Sequence, residues 1–385
     1  MPQSRRSSDI DRPNVLFVMV DQLPPGLTGT YGHDVVETPN LDRLAADGVR
    51  FDAAYTPCPL CGPARDSVMT GRHVSAIGAW DNATPLADDA VTYGHYLSRE
   101  GYDPVLSGKM HFVGADQLHG FDRRLTTDVY PADFRWTPYR DVDGQAVGRE
   151  PQAIGDHASL YVDEGIEVDR WSEYLSYDEE THFRALEYLH ARGEERESGE
   201  SRADDGDEDE SGGEGVEEDD DGAQPFHLTV SYHHPHDPFW PPREYWEQYA
   251  DAPVDLPEVP DDMEAHRSSM DEWLNEWHQT AEYDLLDPES LRRVRRAYYG
   301  LVSYVDDKLG ELLDALEENG LAEDTVVVFT SDHGDMLCER GMVQKRCFYE
   351  PSSRVPLVAR FPDGSYAGET CETPVSLLDL FPTFL

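Results

Sequence analysis

The chain has 385 residues, with 79 acidic and 31 basic side chains and a formal net charge of −48. A surface this negative repels phosphate backbones, so the composition disfavours a nucleic-acid-binding protein. No apolar run approaches the roughly 20 residues that cross a bilayer, and the five unevenly spaced cysteines do not form a disulfide framework. We therefore expect a cytoplasmic protein that has no membrane segment.

Strands and helices alternate along the chain. Continuous apolar runs typical of buried strands are found at 15–20, 103–107, 226–232, 325–330 and 355–361. Helical patterns are found at 40–48 and 292–319. This alternation predicts an α/β fold with a largely parallel central sheet and helices on both faces.

Residues 193–224 differ in composition from the rest of the chain. They contain 16 acidic residues, and their only apolar side chains are one valine and two alanines. Such a segment cannot bury a core, so we expect a disordered acidic insertion within a domain that spans residues 1–385. The rest of the chain is also acidic, and the whole chain has three lysines against 28 arginines. This resembles proteins of extreme halophiles, in which a high-salt cytoplasm screens self-repulsion.

Pairs of polar residues directly follow two of the predicted strands. Asp21 and Gln22 come after the first strand, and Asp332 and His333 come after the strand at 325–330. Ligands gather at the carboxyl ends of strands in open α/β sheets, so the two pairs could converge on one metal site. The alternative is that these aspartates cap the turns that follow. Oxygen ligands suit Ca²⁺, Mg²⁺ or Mn²⁺, and a histidine adds some preference for Mn²⁺.

The segment 57–72, PCPLCGPARDSVMTGR, carries the most specific pattern. Pro63 suits the first turn of a helix, which would place Cys61 at a helix N-terminus that favours an anion. A buried cysteine in a helix-start turn is the alternative. The segment resembles the C-x-P-x-R motif of the type I sulfatases, continued by a T-G-R turn at 70–72. The enzymes of that family oxidise the cysteine to formylglycine.

Other segments extend this resemblance over nearly the whole chain. The family's K-x-H, H-P-H, second metal and late lysine elements match 109–111, 233–238, 331–335 and 344–357. Two of the three lysines therefore fall on motif positions, whereas Lys308 has the character of a surface residue. Within the family the chain is most similar to the choline sulfatases, through residues 59–61, 80–83, 106–111, 116–121 and 125–134.

The resemblance implies a nucleophile, a metal centre and an alkaline phosphatase-like fold. Cys61 becomes formylglycine, whose hydrate attacks sulfur and displaces the alcohol. Asp21, Asp332 and His333 hold a divalent cation, with the formylglycine oxygen at residue 61 as a further ligand. Gln22 stands where many sulfatases have a second aspartate. This difference leaves the identity of the metal ion open. Calcium is the expected ion, and manganese and magnesium are the alternatives.

The resemblance also implies roles for the surrounding cations and histidines. Arg65, Lys109 and Lys345 screen charge on the sulfuryl oxygens. His111 is the expected base that breaks the covalent intermediate. His234, with Lys345, is the expected proton donor to the leaving alcohol. Each histidine also suits a structural role in a polar turn.

A quaternary ammonium substrate would need aromatic faces or a carboxylate around it. Asn82 and Trp136 lie in the segments similar to choline sulfatases and are candidate substrate-binding residues, together with His236. Each of these three side chains is also a plausible core or turn residue.

The chain ends at Leu385, at the start of a predicted helix. The family normally continues into a smaller C-terminal subdomain, so we expect a truncated catalytic domain. Three functions stay open: an alkyl sulfatase, a phosphonate monoester or phosphodiester hydrolase of the same superfamily, and an inactive binding protein. The expected partners are a small sulfate ester, a formylglycine-generating maturation system and, in some states, a second copy of the chain.

Overall fold

The structure is a computed structural model that describes residues 12–129, 158–161, 166–168, 170–204 and 224–385. Its strands are β1 (Asn14–Asp21), β2 (Val49–Phe51), β3 (Ala54–Tyr55), β4 (Asp103–Gly108), β5 (Arg123–Arg124), β6 (Phe226–Pro235), β7 (Thr325–Ser331), β8 (Arg354–Val355), β9 (Leu357–Arg360), β10 (Glu369–Cys371) and β11 (Val375–Ser376). Its helices are α1 (Pro39–Ala46), α2 (Cys61–Thr70), α3 (Val74–Ile77), α4 (Tyr93–Arg99), α5 (Glu173–Asp204), α6 (Arg243–Gln248), α7 (Met263–His266), α8 (Ser269–Trp277), α9 (Pro288–Glu318), α10 (Glu350–Ser353) and α11 (Leu380–Thr383).

The main sheet has eight strands in the order β10-β2-β9-β7-β1-β6-β4-β5. β9 is antiparallel to both of its neighbours, and the other pairs in this sheet are parallel. A second sheet has the order β11-β3-β8. The largely parallel central sheet is therefore confirmed. The strands expected at 15–20, 103–107, 226–232 and 325–330 correspond to β1, β4, β6 and β7.

Side chains on β1 alternate between two hydrophobic cores, one on each face of the sheet. Leu16 and Val18 pack in the core that contains residues of α1, α5 and α9. Phe17 and Met19 pack in the core that contains residues of α2, α4 and α11. This period of two is what a strand buried on both faces requires, and it confirms helices on both sides of the sheet.

The strand expected at 355–361 is divided into two short strands. Pro356 separates β8 from β9, which belong to different sheets. Proline has no backbone N–H and cannot donate to a sheet ladder, so the chain changes sheets at this point. The prediction of one continuous strand at 355–361 is therefore wrong.

The acidic segment begins inside a helix. α5 continues to Asp204, so residues 193–204 are helical and the disorder expected for them is wrong. Arg196 gives part of the reason, because its guanidinium lies 2.8 Å from Asp324 and also donates to the Gly320 carbonyl. Residues 205–223 lie outside the described part of the chain, and the acidic insertion stays a prediction there. Within the described ranges, no helix is both long and apolar enough to span a bilayer.

Candidate active site

The carboxyl ends of four parallel strands meet at one edge of the main sheet. β1 ends at Asp21, Asp332 directly follows β7, Lys109 directly follows β4, and β6 ends at Pro235. Gly108 makes the turn at the end of β4 possible: its φ is +107°, and a Cβ there would lie 2.0 Å from the Ser231 carbonyl oxygen. The strand ends therefore bring polar side chains from distant segments to one place.

Four buried side chains form the centre of this site. Asp21, Cys61, Asp332 and His333 each place one potential ligand atom within 4.8 Å of the others. Cys61 Sγ lies 3.2 Å from His333 Nε2 and 3.7 Å from Asp21 Oδ1. His333 Nδ1 lies 2.9 Å from the Gly334 carbonyl oxygen, so we assign the donated proton to Nδ1 and direct Nε2 at the cluster. The predicted convergence of the two strand-end pairs is confirmed.

Cys61 is the first residue of α2, and all ten residues of this helix are buried. The Gly62 N–H donates to Asn82 Oδ1 at 3.0 Å, and Pro63 has no N–H. The start of α2 therefore offers residue 61 mainly the positive end of the helix dipole. The backbone N–H groups in the first turn of α2 are largely bonded to other partners or, at Pro63, absent.

The charges in the cluster depend strongly on one another. Burial acts to raise the pKa of Asp21, but the cations Lys109 and Arg65 hold that pKa well below its usual value. Burial and the nearby Asp21 carboxylate raise the pKa of Asp332. Two carboxylates this close repel each other as anions, and a bound cation relieves this repulsion.

Burial also opposes the charged forms of Cys61 and His333. The Lys345, His333 and Lys109 charges nevertheless hold the pKa of the Cys61 thiol well below its usual value. Asp332 and Cys61 raise the pKa of His333 against the effect of burial. The cluster therefore favours the anionic forms of Asp21 and Cys61 but opposes that of Asp332.

Arg65 is completely buried beneath the cluster. Its Nε donates to Asp332 Oδ2 at 2.8 Å, and its Nη2 donates to Asp21 Oδ2 at 3.1 Å. Its Nη1 donates to Ser231 Oγ at 2.7 Å and to the Lys109 carbonyl. Every nitrogen of this guanidinium has a protein acceptor, so its contacts orient the two carboxylates. The charge screening of the sulfuryl oxygens that the resemblance implies for Arg65 stays a prediction.

The two motif lysines come from different segments: Lys109 follows β4, and Lys345 lies in the loop between β7 and α10. Lys109 Nζ lies 2.6 Å from Asp21 Oδ2 and 3.4 Å from His233 Nδ1. Lys345 Nζ donates to Gln22 Oε1 and lies 2.8 Å from His236 Nε2. Both lysines are buried, which makes their charges more effective than at the surface.

Gln22 connects the cluster to a neighbouring polar network. Its backbone N–H donates to Asp332 Oδ1 at 3.2 Å. Its side-chain amide donates to Asp237 at 3.2 Å and to Asp335 at 2.5 Å. The amide oxygen of Gln22 accepts a hydrogen bond from Lys345. Gln22 therefore lies beside the four-residue cluster, and its role as a metal ligand stays a prediction.

His234 and His236 occupy different surroundings. The even-numbered residues Leu228, Val230 and Tyr232 of β6 pack toward α5 and α9. His234 follows the same alternation: its Nδ1 lies 2.6 Å from Asp178 Oδ2 on α5, and its ring packs against Tyr304 on α9. Lys345 contacts His236 and not His234. The role of His234 as proton donor stays a prediction.

The other predicted site residues fall in two groups. His111 and Asn82 lie beside the start of α2, where His111 Nε2 is 3.2 Å from the Asn82 carbonyl oxygen. Trp136 lies outside the described residues. Asn82 therefore contacts the helix that carries Cys61, and its role toward a substrate stays a prediction.

Several buried residues around the site were not found from the sequence. Asp178 accepts from the backbone N–H groups of His233 and His234, and Asp335 accepts from Tyr161 and Gln22. Asp178 lies in an acidic helical stretch, and no feature of the sequence distinguishes it from the exposed acidic residues beside it. Asp335 follows Gly334 in the second metal element and could have been singled out by that position.

Comparison with known proteins identifies the family. Residues 13–385 match the sequence model of the sulfatase family. The choline-sulfatase of Rhizobium meliloti (strain 1021) is 39% identical over 376 residues, which cover 97% of this chain and 67% of that protein. The uncharacterized sulfatase YidJ of Escherichia coli (strain K12) is 30% identical over 375 residues, with the same two coverages.

Solved structures share the fold. The crystal structure of the phosphonate monoester hydrolase of Agrobacterium radiobacter superposes with a TM-score of 0.67 and 25% sequence identity, covering 97% of this chain and 73% of that chain. The putative sulfatase yidJ from Bacteroides fragilis gives a TM-score of 0.65 and 23% identity, covering 100% of this chain and 75% of that chain. The chain therefore belongs to the sulfatase family and is a sulfuric ester hydrolase with an alkaline phosphatase-like fold.

Proposed function

We propose that the protein hydrolyses the sulfate ester of an alcohol, with formylglycine made from Cys61 as its nucleophile. The observation that carries this proposal is the position of Cys61. It lies at the start of a helix, completely buried, with Sγ next to His333 and Asp21. A buried cysteine surrounded by metal-ligand side chains suits a reacting group better than a packing residue.

The four-residue cluster fits a divalent cation. Asp21, Asp332, His333 and residue 61 would hold it, since two buried carboxylates this close need a positive partner. Calcium is the ion we expect from the oxygen donors, and manganese is the alternative that the histidine favours. The cation would supply Lewis-acid stabilisation. The formylglycine hydrate would supply a hydroxyl group as the nucleophile.

The fixed cations around the cluster prepare it for an anionic substrate. Arg65 holds both aspartates in place, and Lys109 neutralises Asp21. The Lys109 and Lys345 charges would favour negative charge on the sulfuryl oxygens as the ester bond breaks. Because all three cations are buried and held by the protein, little reorganisation is needed during the reaction.

Lys345 and His236 form the unit that would protonate the leaving alcohol. His236 Nδ1 lies 2.8 Å from the Asp237 carbonyl oxygen, so Nδ1 carries a proton and Nε2 accepts from Lys345. The Lys345 ammonium is then the proton source, and His236 holds it in position. His111, beside the start of α2, would act as the base of the second half of the reaction.

Choline sulfate is the first substrate to assay because the choline-sulfatase of Rhizobium meliloti is 39% identical. Asn82, Trp136 and His236 are the residues we propose for contact with the alcohol part. Phosphonate monoester hydrolysis is the second candidate, because a phosphonate monoester hydrolase shares the fold at a TM-score of 0.67. Both substrate classes present a tetrahedral oxyanion to the same cations.

The test compares sulfate release from choline sulfate and simple alkyl sulfates with hydrolysis of phosphate and phosphonate esters. The protein is produced in a host that matures another sulfatase, and Cys61→Ala is the control variant. We expect the largest kcat/KM on a sulfate ester, and no activity in Cys61→Ala. A larger kcat/KM on a phosphonate ester would favour the second candidate, and full activity in Cys61→Ala would refute the proposed nucleophile.

A further inference from the structure

Arg346 occupies an unusual backbone position next to Lys345. The φ angles of Gln344 and Arg346 are +60° and +79°. Left-handed conformations of this kind are costly for residues other than glycine, so surrounding contacts must hold the segment in place. The Arg346 N–H supplies one such contact by donating to the Pro59 carbonyl oxygen at 3.2 Å, two residues before Cys61. This backbone geometry fixes an arginine beside the turn that carries the nucleophile.

The hydrogen bonds of Arg346 differ from those of Arg65. Its Nη1 contacts Gln344 Oε1 at 2.9 Å and His278 Nε2 at 3.3 Å, and neither partner is a carboxylate. Among the described residues, Arg346 forms no ion pair, and its Nε and Nη2 groups make no hydrogen bond. Arg65, in contrast, uses each nitrogen on a protein acceptor. Arg346 therefore has donors to spare for a ligand.

Nearby negative groups offset only part of the cost of burying the Arg346 charge. Burial lowers the pKa of Arg346, while the negative forms of Cys61, Asp237 and Tyr161 raise it. Gln344, whose side-chain oxygen accepts from Arg346, also donates to Asp237 Oδ1 at 2.8 Å, and Asp237 accepts from Gln22. The guanidinium therefore lies beside the polar network that borders the four-residue cluster. A partly buried guanidinium without a bonded carboxylate is unfavourable in the free protein, and an anionic ligand would compensate for this cost.

We propose that Arg346 binds a negatively charged oxygen of the substrate. This inference rests on the proposed function of the same site and extends it to substrate recognition. The planar fork of N–H groups suits a sulfate or a carboxylate. The oxygen belongs either to the reacting sulfate or to a second anionic group on the alcohol, and the experiment distinguishes these two sources.

The experiment compares Arg346→Met and Arg346→Lys with the wild-type enzyme. Three quantities are measured: KM for n-butyl sulfate, KM for an alkyl sulfate that ends in a carboxylate, and the inhibition constant of inorganic sulfate. We expect Arg346→Met to raise at least one of them by about 10- to 100-fold, the usual effect of losing a charge-assisted hydrogen bond. Arg346→Lys should recover part of this loss, because it keeps the charge.

Arg340→Met is the matched control. Arg340 lies in the same loop, but its guanidinium packs over the Tyr349 ring, 4.4 Å from the ring centroid. We expect this variant to keep the wild-type KM values and inhibition constant. Circular dichroism and the thermal midpoint of each variant show whether it is folded, and Arg346→Lys still tests the proposal if Arg346→Met does not fold.

The pattern of changes identifies the source of the bound oxygen. A parallel rise in all three quantities shows that Arg346 contacts the reacting sulfate. A rise confined to the carboxylated ester shows that it contacts a second anionic group. Unchanged values in a folded Arg346→Met overturn the proposal.

A failure of the proposed function is recognised separately. In that case the matured wild-type enzyme would hydrolyse no sulfate ester. Calorimetric binding of inorganic sulfate and of the carboxylated alkyl sulfate to wild type and to Arg346→Met would still report on Arg346, since that measurement needs no turnover. Equal affinities of the two proteins for both ligands would overturn the inference, and weaker binding of either ligand by Arg346→Met would support it.

Discussion

At the scale of single residues, the site depends on a buried arginine that holds two buried carboxylates. Arg65 connects Asp21 and Asp332, which lie at the ends of β1 and β7, two strands far apart in sequence but adjacent in the sheet. Removing one member of such a group leaves uncompensated buried charge, which is much costlier than losing a surface ion pair. Arg65 therefore contributes to stability as well as to the geometry of the site.

Arg65→Met should lower the free energy of unfolding by about 3–5 kcal/mol, because it removes the arginine partner of the buried Asp332 and one of the two cations that contact the buried Asp21. Urea unfolding of both proteins, with and without added calcium, measures this difference. The control is Arg43→Met, which removes a surface ion pair with Asp314 and should cost no more than about 1 kcal/mol. Equal losses in the two variants would contradict the role assigned to Arg65.

The two histidines of the H-P-H element should respond differently to the leaving group. His236→Ala should slow hydrolysis of an alkyl sulfate by about 100-fold or more, because it disturbs the proton donor Lys345. It should slow 4-nitrophenyl sulfate much less, since nitrophenolate leaves without a proton. His234→Ala should affect both substrates to a similar degree, because His234 contacts Asp178 and Tyr304. Equal sensitivity of the two variants to the leaving group would contradict this assignment.

At the scale of secondary structure elements, the site is an outcome of parallel strands and one buried helix. The strands β1, β4, β6 and β7 were predictable because each is a continuous apolar run, and the motif residues follow their ends. The side of β6 on which each histidine lies depends on the register of the sheet with α5 and α9, which local sequence does not specify. For the same reason Asp178 could not be distinguished from the exposed acidic residues of α5.

The helix α2 contains a buried carboxyl group whose titration should be visible in stability. Burial raises the pKa of Asp66 to about 8, from its ordinary value of 3.8. Between these two values the folded state keeps a proton that the unfolded state has released, so Asp66 makes stability fall as pH rises. Each pH unit in this window costs at most about 1.4 kcal/mol.

Asp66→Asn should therefore stabilise the protein at pH 8 relative to wild type, and the difference should shrink toward pH 4. Urea unfolding at several pH values gives this difference directly. Asp262→Asn is the control, because the Asp262 side chain is 70% exposed. A difference between Asp66→Asn and wild type that does not change with pH would contradict a raised pKa at this position.

At the scale of the whole molecule, the dominant property is a net charge of −48. The site itself is rich in buried cations, so the negative charge belongs mainly to the outer surface and to the acidic stretch around 193–224. Self-repulsion of this size destabilises the compact state at low ionic strength. Composition alone predicted this property, because net charge does not depend on how the chain folds.

Stability should therefore rise with salt. The Debye length falls from about 10 Å at 0.1 M to about 3 Å at 1 M, which screens most repulsion between surface carboxylates. We expect the urea midpoint to increase steadily with KCl over this range. KCl is preferred to sulfate salts, which strengthen burial by a separate mechanism. A midpoint that is constant or falls with KCl would show that self-repulsion is not a major destabilising term.

The central claim is that Cys61 is the precursor of the nucleophile, and mass spectrometry of the peptide containing residue 61 tests it most directly. The protein is purified from a host that matures another sulfatase. We predict a residue about 18 Da lighter than cysteine, as expected when the thiol becomes an aldehyde. An unmodified thiol in this host, together with hydrolysis of sulfate esters at the normal rate, would contradict the account.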